Sequence, residues 1–209
     1  MYDPRLTEPQ LRRLEAAFHA GAAEASEAMA KWLAVPSMIL IESLDQKPLA
    51  EVSDLLGDPE TTLCVCAMDF DGSLSGQLVF AFEDACGLSL TDLLLNQPVK
   101  TATEWGEIEQ SAALESANII GCAYLNSLAR QLSVETPTIN GLIPSPPTFQ
   151  RDFAESLLQS LFMSQAVVSN TVFLARARFE IRGQPLNWTL LLVPDATSMA
   201  KLQESLPNE

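Results

Sequence analysis

Two long amphipathic helices, about a hundred residues apart, constrain this fold more than any other feature. Each opens the same order of elements: long helix, strand, short helix, hairpin, helix. Overlaying the two helices at a shift of 100 residues (115 − 15) pairs Leu14 with Leu114 and Glu15 with Glu115. It also pairs Ala17 with Ala117, Gly21 with Gly121 and Ala23 with Ala123. Pro36 and Pro137 follow the two helices one residue out of step, and Asp84 and Asp195 each open a closing helix after a long apolar strand. Alanine matches are cheap in helices. The Leu-Glu pair, the mid-helix glycines, the prolines and the element order carry the inference of a duplicated unit. A glycine inside a helix costs about 1 kcal/mol against alanine, so each of these two implies a close helix–helix or helix–sheet approach.

Local signals give the elements. Thr7 suits an N-cap and Pro9 a first turn, so a helix is expected over Leu6–Leu33, stopped by Pro36. The aliphatic run Ser37–Ser43 reads as a strand and Pro48–Leu56 as a short helix ending at Gly57. Thr62–Asp69 and Ser73–Phe82 read as two strands joined at Asp71-Gly72, a hairpin signal, with Asp84 starting the next helix. Asn96–Thr103 lacks periodicity and reads as a linker. In the second half a helix is expected over Glu104–Leu132, a strand near Pro137–Ile143 and a turn at Pro144–Pro147. A helix over Phe149–Met163, strands over Asn170–Ile181 and Leu186–Val193, and a helix over Ala196–Leu206 complete the chain. Hairpins imply antiparallel pairing. The expected fold class is α/β (α+β): a pseudo-twofold duplicated α-β-α-β-β-α unit. Its sheet is mostly antiparallel, with the two long helices on one face. The expected organisation is one domain over residues 1–209, built of pseudo-repeats at about 1–98 and 99–209.

Composition removes several function classes. A net charge of −15 argues against a nucleic-acid footprint and against docking on anionic lipid. No apolar run reaches the roughly 18 residues of a membrane-spanning helix. The opening MYDPRLTEPQLRRLEAAF has no apolar core of a secretory signal. Cys64, Cys66, Cys86 and Cys122 lack zinc-like or disulfide-framework spacing, so reduced thiols in cytoplasm are expected. Cys64 and Cys66, alternating on one strand face, read as core rather than as metal ligands. His19, the sole histidine, reads as a solvent-facing helical residue, and no phosphate-binding glycine loop or nucleophile elbow is present.

What remains is a polar stripe on the second long helix. Ser111, Glu115, Asn118 and Cys122 recur at helical spacing beside an apolar stripe of Leu114, Ala117, Gly121, Tyr124 and Leu128. Glu115 and Asn118 lie three residues apart, so their side chains leave adjacent turns in the same direction. The plain reading is an ordinary exposed helical face.

The spacing Ser111-x-x-x-Glu115-x-x-Asn118, followed by Gly121, Tyr124, Leu125, Asn126 and Pro137, resembles the CheC family of chemotaxis phosphatases. Relatives of that family are the CheX phosphatases and the FliY switch proteins. The stretches ESANIIGCAYLNSLA and FEIRG…LLLVPD, with the duplicated order, carry the resemblance across nearly the whole chain. It implies hydrolysis of the aspartyl phosphate on a CheY-like response regulator in chemotaxis-type two-component signalling. By that resemblance Asn118 orients the attacking water, Glu115 pairs with a lysine of the regulator, and Ser111 completes the motif. No cofactor or metal is expected in this chain; Mg2+ belongs to the partner regulator. Phosphoryl transfer suits such a division, since it needs positioning and charge stabilisation more than a protein nucleophile.

The first half departs from the pattern. Glu15 keeps the acidic position, but Phe18 stands opposite Asn118 and Leu11 opposite Ser111, so no catalysis is expected at this degenerate first site. Leu11, Phe18 and Ala22 are expected to lie under the N-terminal segment; the alternative is an apolar docking patch. Two other function classes stay open: a non-catalytic CheC-like adaptor for a receiver domain, a CheD-like protein or the flagellar switch, and an unrelated α/β domain. A FliY-like switch subunit is expected to carry a further C-terminal domain; none is expected here after Glu209, so that version is disfavoured. Duplication makes a self-contained monomer possible.

Overall fold

The first long helix, α1 (Glu8–Leu33), begins where expected for a local reason. Thr7 is extended, and its N–H donates to Gln10 Oε1 at 3.0 Å. The buried Gln10 also donates through Nε2 to the carbonyls of Gln203 and Leu206, tying the helix start to the far end of the chain. Ala34 closes α1 in the left-handed region at φ 54°. A computed structural model describes residues 5–48, 51, 58, 60–133, 141–157 and 171–206 of the chain.

Strands β1 (Ser37–Pro48), β2 (Thr62–Gly72) and β3 (Gly76–Glu83) follow, then helix α2 (Asp84–Leu94). The second half supplies α3 (Glu107–Ser133), β4 (Leu142–Pro144), β5 (Thr148–Phe153), β6 (Thr171–Ile181), β7 (Gln184–Pro194) and α4 (Ala196–Ser205). Every pairing in the seven-stranded sheet is antiparallel.

Strand order carries the duplication. It runs β1-β6-β7-β3-β2, with β4 and β5 both on the outer edge of β2. Matching β4/β5 with β1, β6 with β2 and β7 with β3 makes that order read alike from either end. The opening strand of each half therefore pairs with the other half. Side-chain sets agree. Cys64, Cys66, Met68 and Phe70 of β2 face the helices, as do Phe173, Ala175, Ala177 and Phe179 of β6, a constant 109 residues on (173 − 64). Phe80 lies opposite Leu190 in the β3–β7 ladder, where the pseudo-twofold axis crosses the sheet.

Both mid-helix glycines sit at close approaches. A Cβ at Gly21 would meet the Tyr124 ring at 2.7 Å, and one at Gly121 would meet Met68 Sδ at 2.3 Å. The first is a helix–helix contact and the second a helix–sheet contact. The opposite face of the sheet holds a second apolar set that includes Val65, Val79, Leu174, Leu191 and Val193.

Several expectations differ from the structure. β1 extends to Pro48 because it pairs along its full length with β6, through a bulge between Ile41 and Ser43. The β2–β3 ladder ends at Phe70 opposite Gly76, so Asp71 and Gly72 begin the connection as expected, but the turn is longer, running on to Ser75, and Gly72 also pairs with Leu142 of β4. Phe149–Phe153 is strand, not helix, because it covers the outer edge of β2; helix begins only at Ala154. Pairing with a distant strand overrides local pattern here. Asn96–Thr103 is irregular as expected, but it is tied down: the buried Asp92 carboxylate accepts from the N–H groups of Thr101 and Ala102 at 2.9 and 2.8 Å. Pro48 is the end of β1 and not the start of a helix; apart from Glu51, the rest of the expected helix to Leu56, most of the strand near Pro137 and the far end of the Phe149–Met163 helix lie outside the described residues.

Candidate functional site

α3 presents two stripes because its inner residues are held from two sides. Ala113, Ala117, Ile120, Gly121, Tyr124, Leu125 and Leu128 are buried against the sheet and α1. Leu114 is half-buried against the same core. Ser127 Oγ donates to the Ala17 carbonyl at 3.1 Å, and Arg130 pairs with Glu24 across the helix pair. At the helix start Glu109 Oε2 accepts from the Gly106 N–H at 3.0 Å. The inner stripe is thereby fixed in rotation, and so is the outer one.

On the outer stripe Ser111 and Glu115 are exposed, whereas Asn118 and Cys122 are half-buried. The sequence-predicted residues thus lie together on one face of one helix. Cys122 Sγ donates to Asn118 Oδ1 at 3.7 Å. Burial pushes the Cys122 thiol above its ordinary pKa, and the Glu115 carboxylate adds to that. Ile108, 61% exposed, leaves the helix one turn before Ser111 and gives the polar stripe an apolar end. Chemically, the face offers a carboxylate acceptor and, one turn on, an amide that donates and accepts without titrating. Among the described residues no group of three or more His, Cys, Asp or Glu side chains is arranged to hold a metal ion.

α1 is a different surface. Phe18 is 3% exposed and packs its ring on Tyr124 with centroids 5.6 Å apart. Ala22 is buried and Leu11 half-buried against the core. Phe18 is therefore covered, with Tyr124 of α3 against its ring. It also does not occupy the place that Asn118 holds. The 100-residue overlay matches residue types but not faces: Leu14, Phe18 and Ala22 are buried while Leu114, Asn118 and Cys122 are half-buried. Burial lines α1 up with α3 one residue out of step with that overlay, at a shift of 99 (113 − 14): buried Leu14, Phe18 and Ala22 fall with buried Ala113, Ala117 and Gly121. The exposed positions of α1 nearby are Arg12, Ala16, His19 and Ala23, with Glu15 half-buried among them. No carboxylate-amide pair appears there.

His19 is exposed as expected, and Cys64 and Cys66 are fully buried in the core. Burial pushes the Cys66 thiol up to about 12. Cys64 is raised by burial and by its hydrogen bond to Asp84.

One polar centre was not visible in the sequence. Asp84 gathers Cys64 Sγ and Trp105 Nε1 at 3.0 Å each and the Arg151 guanidinium, with Nε at 2.8 Å. The Arg151 hydrogen bonds hold its carboxyl below the usual range against an opposing push from burial. The partners come from β2, from the segment before α3 and from β5, so no local pattern marks them. The centre fastens structure: Trp105 also stacks near Phe149 at 4.8 Å between centroids and fills the space beside Gly87.

No family model and no curated protein matches the chain. Solved structures do. The chain is similar to FliY of Thermotoga maritima, with a TM-score of 0.76, 18% identity, and coverage of 96% of this chain and 97% of that one. It is similar to the FliM middle domain of H. pylori, with a TM-score of 0.65, 15% identity, and coverage of 96% and 99%. A chain of a FliG–FliM complex from H. pylori gives a TM-score of 0.62 at 14% identity, with coverage of 93% and 100%. The fold is the one that FliY and the FliM middle domain share.

Proposed function

We propose that this chain is a phosphatase for the aspartyl phosphate of a CheY-like receiver domain in chemotaxis-type signalling, acting in the cytoplasm. The observation that carries the reading is the outer stripe of α3. Glu115 and Asn118 leave one rotationally fixed helix on adjacent turns, exposed and half-buried respectively. Docked on a receiver, Glu115 pairs with a lysine beside the phosphorylated aspartate and sets the register. Asn118 then reaches the phosphoryl group and orients a water in line for attack. A Mg2+ held by the receiver would supply neutralisation of charge on the phosphoryl oxygens. The protein supplies position, which for phosphoryl transfer is much of what catalysis requires.

The test is phosphate release from an acetyl-phosphate-loaded receiver with Mg2+. Wild-type protein is expected to accelerate release and Asn118→Ala to abolish most of the acceleration. An unchanged rate with wild-type protein for the cognate receiver would overturn the enzyme reading. Full acceleration by Asn118→Ala would overturn the residue assignment.

One observation favours a second reading, a non-catalytic adaptor for a receiver, a CheD-like protein or a switch component. The fold is shared with the FliM middle domain and with a chain of a FliG–FliM complex. On this reading the same receiver binds at α3 and is released with its phosphate intact.

A further inference from the structure

We infer that Cys122 is a positioning residue for Asn118, its thiol holding the side-chain amide in one orientation. This rests on the phosphatase reading of the outer stripe. Cys122 lies one helical turn beyond Asn118, and its Sγ donates to Asn118 Oδ1 at 3.7 Å. That contact occupies one of the two lone pairs of the amide oxygen. The Nδ2 group makes no hydrogen bond to any described residue, so both of its protons and the second lone pair remain for a water. An asparagine without such a contact rotates freely about its last torsion and exchanges its donor and acceptor ends.

A hydroxyl would not do the same work at this position. Ser26, Ser89 and Ser116 each donate to the carbonyl four residues back in their own helix, at 2.6, 2.6 and 2.8 Å, and buried Thr91 does so at 3.3 Å. Back-bonding of this kind is the ordinary habit of helical hydroxyls. The longer-reaching and weaker thiol instead bonds the neighbouring side chain. Burial and the nearby Glu115 carboxylate keep that thiol protonated, and so a donor, at neutral pH.

The experiment uses the full chain labelled with nitrogen-15, the Asn118 side-chain amide signals being identified by their loss in Asn118→Ala. In wild-type protein the two amide protons should be displaced from the values of a free asparagine. In Cys122→Ala and in Cys122→Ser, which keeps nearly the same size, the pair should move towards the values of a free asparagine. The loss of one weak hydrogen bond should lower kcat for phosphate release about threefold, with KM for the receiver unchanged. The inference is overturned if both variants keep the wild-type amide signals and kcat, or if KM alone changes, which would make Cys122 a docking contact. If wild-type protein fails to accelerate release, the phosphatase reading falls and the amide signals alone decide the inference.

Discussion

α1 and α3 are near copies in length, 26 and 27 residues, and pack on the same sheet face, yet only α3 shows a carboxylate-amide pair to the outside. The difference lies less in which residues were replaced than in which way they face. In α1 the position that matches Asn118 by sequence holds a phenylalanine, and the apolar ring is turned into the seam against Tyr124. In α3 the seam is made by Tyr124 itself, leaving Asn118 half-buried on the outer side. The outer positions of α1 instead expose Arg12, Ala16 and His19, so the two helices share the packing but differ in what they display.

The largest expected effect tests that division directly. Restoring the motif by Phe18→Asn should not create a second site, because the side chain points into the core. It should destabilise the protein by about 3–5 kcal/mol, from the lost ring and a buried amide without partners. Chemical denaturation measures this. A variant that folds as well as wild type and gains phosphate release would show that Phe18 can turn outward, and would break the comparison.

Next in size is the outer stripe. Asn118→Ala should lower the acceleration of phosphate release by about a hundredfold, the scale for losing one positioning group. Stability should change by no more than about 0.5 kcal/mol, as is usual for outward-facing helical positions. A large fall in melting temperature with little loss of rate would mean that Asn118 serves the fold, as Phe18 does.

The helical repeat, the mid-helix glycines and the polar stripe were legible in the sequence because they are local: an amide and a carboxylate three residues apart share a face in any α-helix. The strand exchange was not. Nothing within Ser37–Pro48 says that its partner is β6 rather than β2, since that choice is made by which apolar faces meet when the halves close. Phe149–Phe153 is illegible for the same reason, its strand state being imposed by the open edge of β2. The direction of Phe18 was lost in an overlay by residue identity, although at roughly 100° per residue a slip of one position changes the face entirely. Asp84 looked like a helix-opening residue and no more, because its partners Cys64, Trp105 and Arg151 are 20, 21 and 67 residues away.

Asp84 and Asp195 allow the same kind of comparison at the closing helices. Asp84→Asn keeps an acceptor for Cys64 and Trp105 but removes the charge that the Arg151 fork binds. About 1–2 kcal/mol of stability should be lost, after allowance for the partial exposure of the pair. The pH dependence has a definite sign. The Asp84 carboxyl sits below its ordinary value near 3.8, chiefly through the Arg151 hydrogen bonds. Its contribution is therefore complete above that value and disappears as pH falls through the lower, folded-state one. Wild type should lose its advantage over Asp84→Asn across that acidic window, as read by urea unfolding at successive pH values. A constant difference down to the most acidic conditions would remove the ion pair as the cause.

The smallest effect is at Asp195, which acts as a cap alone. Its Oδ1 accepts from the Ser198 N–H at 2.6 Å at the start of α4. Asp195→Ala should cost about 1 kcal/mol, as for other N-caps, and Asp195→Asn only a few tenths, since asparagine caps nearly as well. The asparagine variants separate the two roles: nearly silent at position 195, costly at position 84, where no amide replaces the charge facing Arg151. Equal losses at both positions would mean that the charge of Asp84, which is the first residue of α2 and not its cap, contributes no more than a cap does. In that case the two halves would be alike at their closing helices, and their divergence would be confined to α1 and α3.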